Sequence, residues 1–153
     1  MKQSRYEQPL DERSIAQAAL GHRKDLAPVP GGFHVHPELA AAGLWTTPSD
    51  LATLAIEIAN TAVGRPGRLL SGATVSEMLK LQNDKVGLGF FIRGQGRGQS
   101  FGHDGANDGY RCELVMLPAT GQGLVLMTNS DTGGQIFKSV TAAVRAAYRW
   151  PAE

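Results

Sequence analysis

Polar groups crowd between candidate strands in the stretch FGHDGANDGY, where His103, Asp104, Gly105 and Asn107 follow one another at the end of a short candidate strand. An imidazole, with an ordinary pKa near 6.5, can donate a hydrogen bond or move a proton at neutral pH. Bare glycine backbone beside it lets an extended ligand lie close. The same residues also make an ordinary Gly-rich hairpin loop with a capping Asp, and from composition alone that is the better reading. A second grouping is GFHVHPE: His34 and His36 share one side of an extended segment and, with Glu38 or His22, could approach a metal. Zinc usually takes three or four ligands, and no further H-x-H and no H-E-x-x-H occurs, so a packing or capping role is the better reading. A third, GQGRG at 94–98, has the glycines of a phosphate loop. It lacks the following Lys-Ser/Thr and the helix that would aim amides at a phosphate, and it reads as a solvent-exposed hairpin turn.

Two motifs that would mark a serine nucleophile and its proton-transfer partners are missing from the sequence. No Ser-x-x-Lys occurs, because Ser76 and Lys80 are four apart, a helix-surface spacing. Tyr6, Tyr110 and Tyr148 are followed two residues on by Gln8, Cys112 and Trp150, so there is no Tyr-x-Asn. The single Cys112 lies in an apolar run and reads as a buried structural thiol.

These residues need elements to hold them. Thr47 N-caps TTPSDLATLAIEIANTA, with Pro48 at the first helical position and Asp50 closing a capping box. Leu51, Leu54, Ala55, Ile58 and Ala62 form its apolar stripe. A short second helix opens near Ser71 or Thr74 and turns Val75, Met78 and Leu79 inward, and Ser14 to Leu20 is a weaker helical candidate. From Val86 the period changes: VGLGFFI, YRCELVML and GLVLMTN read as strands, the last two joined by a turn short enough to force antiparallel pairing. Ile136, Val140, Ala143, Val144 and Ala147 then define one face of a closing helix that should cover the sheet.

The 153 residues are 42% hydrophobic and 19% charged, with 15 Lys+Arg against 14 Asp+Glu. One domain is the default at this length, and a core needs no disulfide or metal to support it. A net charge of +1 with mixed signs argues against a nucleic-acid partner. No apolar run is long enough to span a bilayer, and MKQSRYEQPLDERS places charge and Pro where a secretory signal has its apolar region. As given, the chain is expected in the cytoplasm, unless its start is missing.

Taken in order, HPELAAAGLWTTPSDLATLA (His36 to Ala55), LLSGATVSEML, VGLGFFI, FGHDGANDGYRCELVMLP and GLVLMTNS resemble the C-terminal part of the serine beta-lactamase-like family. That family includes class C beta-lactamases, D-alanyl-D-alanine carboxypeptidases, related penicillin-binding proteins and esterases, many of them extracytoplasmic. The resemblance implies an α+β fold: an antiparallel sheet of three or four strands against a C-terminal helix, with shorter helices from the first half. The chain then reads as one partial domain, irregular and helical over 1–85, strands and closing helix over 86–153.

In the family a Ser-x-x-Lys, a Tyr-x-Asn and a Lys/His-x-Gly meet at one pocket. His103-Asp104-Gly105 matches the third only. The resemblance implies that His103 contacts a substrate carboxylate or assists a proton relay, and that the strand around Gly105, with Asn107 beyond it, lines the cleft. Asp104, where the family often has Thr or Ser, could repel an anionic substrate. No cofactor is implied. Lacking the two proton-transfer motifs, the chain is expected to be inactive alone, either a segment of a hydrolase of beta-lactams, D-Ala-D-Ala peptides or esters, or a non-catalytic module of the same fold. A small metal-binding protein using His34 and His36 is the third alternative. An unpaired edge at Gly123 to Asn129 would favour a homodimer or association with a missing N-terminal part.

Overall fold

The computed structural model describes residues 1–152. Its frame is a four-stranded antiparallel sheet in the order β1 (Phe91–Arg93), β2 (Ser100–Asn107), β3 (Tyr110–Leu117) and β4 (Gln122–Thr128). Each strand follows its neighbour through a short turn, so sequence order and spatial order coincide. The register is set by pairs such as Phe101 with Met116, His103 with Leu114 and Leu114 with Val125.

Side chains alternate across a strand, so Ile92, Phe101, Leu114, Met116 and Val125 share one face. That face is buried under α3 (Pro48–Ala62), whose Ala55, Ile58 and Ala59 join Val75 of α4 (Gly72–Leu79) in the core. Thr47 caps α3 as expected, its hydroxyl accepting from the Asp50 amide at 3.2 Å. The stripe differs by one place: Ala59 is buried and Ala62 exposed, because the sheet covers only the side of the last turn that carries Ala59. Ser71 caps α4.

The opposite face carries Val115 and the fully buried Leu117. Here α5 (Phe137–Ala147), entered through a 3-10 turn at Gly133–Ile136, lies over the sheet. Its inner stripe runs through Phe137, Val140, Thr141 and Val144, while Ile136, Ala143 and Ala147 are exposed. The expected face is thus rotated by about one residue: Phe137, the larger apolar group, occupies the sheet-facing position that Ile136 had been assigned.

Two other expectations shift. VGLGFFI is a strand only at its end, because Gly89 at φ +78 folds Val86–Phe91 into a tight turn closed by an isolated bridge. His103 does not end a strand; β2 runs on to Asn107 and turns at Asp108-Gly109. GQGRG is indeed the β1–β2 connection, a 3-10 turn at Gly96–Gly98. Before α3 there are only two one-turn helices, α1 (Glu12–Ile15, capped by Asp11) and α2 (Leu39–Ala42), so the helix expected at Ser14 to Leu20 lies earlier and is shorter. Among the described residues no helix is long and apolar enough to cross a membrane.

Candidate active site

β1 is three residues long and pairs only with Ser100, Phe101 and Gly102 of β2. From His103 to Asn107 the same edge of β2 has no strand beside it among the described residues. Unpaired backbone amides and carbonyls on such an edge are a template for an extended ligand.

His103 stands at the point where pairing stops. Its Nδ1 lies 2.6 Å from the carbonyl oxygen of Asp104. A carbonyl only accepts, so Nδ1 carries the proton and Nε2 is the nitrogen left for chemistry, accepting a hydrogen bond when the ring is neutral and donating one when it is charged. The Phe91 ring lies 5.1 Å from the imidazole at an interplanar angle of 34°, and the Arg93 guanidinium sits 5.8 Å from the centre of that phenyl ring. Neither neighbour is foreshadowed by sequence beyond the FF pair; the turn at Gly89 brings Phe91 to the edge.

Gly105 is on the same face as His103, with Cys112 opposite it in the register. A Cβ there would come within 2.6 Å of the Cys112 sulfur, so the backbone lies close over the thiol. Burial pushes the Cys112 thiol up from its ordinary pKa, and the Asp104 charge adds to this. Cys112 is half-buried, where the apolar run had suggested a fully buried thiol, because the bare Gly105 backbone opposite covers it with no side chain. Asn107 shares this face also, but its Nδ2 donates to the Ala42 carbonyl at 3.1 Å, tying the strand end to α2.

Asp104 behaves differently. Strand alternation turns its side chain to the α5 face, opposite Glu113 and in a cleft shared with Arg93, Lys138 and Thr141. The carboxylate expected to repel an anionic substrate therefore points away from His103, and only its backbone belongs to the open edge.

The far end of β2 is held by the irregular first third of the chain. Asp108 Oδ2 accepts from His34 Nε2 at 2.8 Å and Arg23 Nη2 at 3.1 Å. These partners, His34 foremost, hold its carboxyl below the usual carboxylate range against partial burial. Gly109 takes φ +82, with Val29 and Gly21 so near that any side chain would collide. Its amide donates to Asp131, which also pairs with Arg111 at 3.0 Å. The Tyr110 hydroxyl reaches the Ala19 and Gly32 carbonyls, and burial raises its pKa.

The histidines proposed as metal ligands do not converge. His34 is engaged by Asp108, His36 is 6.4 Å away ring to ring, and His22 Nδ1 lies 3.1 Å from the Asn129 carbonyl. Among the described residues no group of three His, Cys, Asp or Glu side chains is placed to hold a metal. Ser76 is exposed, and Lys80 pairs with Glu77 on the surface of α4.

The sequence model of the beta-lactamase family matches residues 1–149. The chain belongs to the beta-lactamase family. No curated protein sequence matches it. Among solved structures it is similar to SurE, with 28% identity and a TM-score of 0.67 over 84% of this chain and 32% of that one. SurE with D-Leu gives 31% identity and a TM-score of 0.61, over 71% of this chain and 28% of that one. The D-amino acid amidase from Ochrobactrum anthropi SV3 complexed with D-phenylalanine shares the fold, with 21% identity and a TM-score of 0.64 over 95% of this chain and 49% of that one. This member of the beta-lactamase family thus spans between about a quarter and a half of the length of those structures.

Proposed function

We propose that the chain supplies the substrate-binding wall of a beta-lactamase-like serine hydrolase acting on a D-configured amide, peptide or ester, or on a beta-lactam. The observation that carries this is the open edge of β2 beside the unoccupied Nε2 of His103. An acyl substrate lies along His103–Asn107 by strand addition, and the imidazole, when charged, donates to its carboxylate. D-Leu and D-phenylalanine in the similar structures support a D-configured substrate. Gly105 lets the substrate approach the backbone, and Asn107 holds the strand's end. The wall is one partial domain, and the attacking serine and its basic partners belong to parts of the fold outside these residues.

The chain alone therefore turns over nitrocefin and p-nitrophenyl esters at near-background rates, since enzymes exceed uncatalysed rates by roughly 10⁶-fold or more and loss of the nucleophile removes most of that. D-alanyl-D-alanine should still shift the amide resonances of His103–Asn107, and His103→Ala should weaken that binding. A kinetic burst with either chromogenic substrate, or an edge indifferent to the dipeptide, overturns the reading.

A second reading rests on the other side of the sheet. β4 has no strand partner on its outer edge among the described residues. On this reading two copies pair there, or a complementary strand docks, making the chain a dimerising module. Sedimentation should then show a dimer whose β4 amides exchange slowly; a monomer with β4 amides protected at low concentration eliminates the homodimer.

A further inference from the structure

The GQGRG turn, without a role at the candidate cleft, meets two other segments at the opposite end of the sheet from Asp108-Gly109. An open cleft of ≈ 430 Å³ lies there, lined by Arg97 of the β1–β2 turn, Thr120 of the β3–β4 turn, Gln122, and Arg149 just beyond α5. No carboxylate lines it among the described residues, and neither arginine has an ion-pair or hydrogen-bond partner there. The Thr120 hydroxyl oxygen is buried without a protein partner, a state that costs free energy until an acceptor or donor reaches it.

The backbone that carries these groups is held in place. Gly98 and Gln99 amides close the 3-10 turn that carries Arg97. Gln122 Nε2 donates to the Tyr148 carbonyl at 2.8 Å, fastening the strand to the residue before Arg149. Arg149 itself has φ +50, a left-handed conformation that side chains other than glycine adopt at a cost. It is fixed by the Trp150 amide bonding the Arg145 carbonyl at 2.9 Å, the wrap that ends many helices. Glycine is the usual residue there, so the chain accepts backbone strain at a position that places a second arginine on the cleft lined by Arg97.

We propose that this cleft is an oxyanion-binding site, taking a phosphate or carboxylate group between Arg97 and Arg149. It is separate from the His103 edge and stands or falls independently of it.

The test is a two-dimensional NMR titration of the whole chain at pH 7 and constant ionic strength, with inorganic phosphate as probe and acetate and chloride as parallel arms. Phosphate should give saturable shifts at Arg97, Thr120, Gly121 and Arg149. R149G relaxes the backbone strain, so its spectrum should remain folded while phosphate binds about tenfold or more weakly, as expected for loss of a charge-assisted contact. R97A should weaken binding likewise without touching α5. Preference for phosphate over acetate assigns a phosphate-bearing ligand, and the reverse assigns a carboxylate. Non-saturating shifts, shifts equally large at Arg65 and Arg68, or full affinity in both variants overturn the proposal.

Discussion

Asp108 gathers the His34 imidazole and the Arg23 guanidinium from the first third of the chain onto the turn that ends the candidate strand. Because its folded carboxyl is held below the ordinary value, its contribution to stability is complete above about pH 4 and fades as pH falls through the lowered native value. The stability difference between wild type and Asp108→Asn, from urea unfolding, should shrink as pH falls below about 4. A difference that grows on acidification contradicts the sign. This cluster was partly legible: His34 and His36 stood out as a pair, but the sequence gives no sign that a carboxylate 74 residues away would engage His34. The orientation of Asp104 could be read only once the strand was known to continue past His103, because alternation assigns faces only within a strand.

Local chemistry was most readable where one element contains its own signals. Thr47 and Pro48 mark the start of α3 and the Thr47 cap is observed, whereas the Asp50 carboxylate, expected to close a capping box, instead accepts from the Gln3 amide and the Ser4 hydroxyl of the N-terminal segment. Thr47→Ala should cost about 1 kcal/mol of unfolding free energy, since an orphaned amide loses its acceptor. No measurable change in denaturation midpoint would mean that packing alone sets this helix's start. β3 also matches its sequence limits, bounded by Gly109 and Pro118. Legibility failed where glycine chose between strand and turn: Gly89 converts most of VGLGFFI into a loop, and spacing carries no information on its φ. The rotation of α5 has a similar origin, because either Ile136 or Phe137 satisfies helical periodicity and only the packed sheet decides.

At the scale of the molecule, the two faces of the sheet are supported unequally. Phe101, 2% exposed, meets Phe90 at a ring separation of 4.9 Å and sits in the cluster joining α3, α4 and three strands. Phe101→Ala should cost about 3–5 kcal/mol by chemical denaturation, a cavity penalty that the fixed strand registers leave little room to relieve. A loss below about 1 kcal/mol would show that the core repacks around the gap. The family fold was legible as a whole because motif order survives where individual boundaries do not. Among the described residues, β4 and the last five residues of β2 have no neighbouring strand at opposite margins of the same sheet. The brevity of β1 makes it a ruler. Five residues of its neighbour stay uncovered, a seat of roughly 17 Å at the usual strand rise. Any stretched guest hydrogen-bonded along that seat is limited to about five residues before it runs into Phe91 at one end or the Asp108 turn at the other.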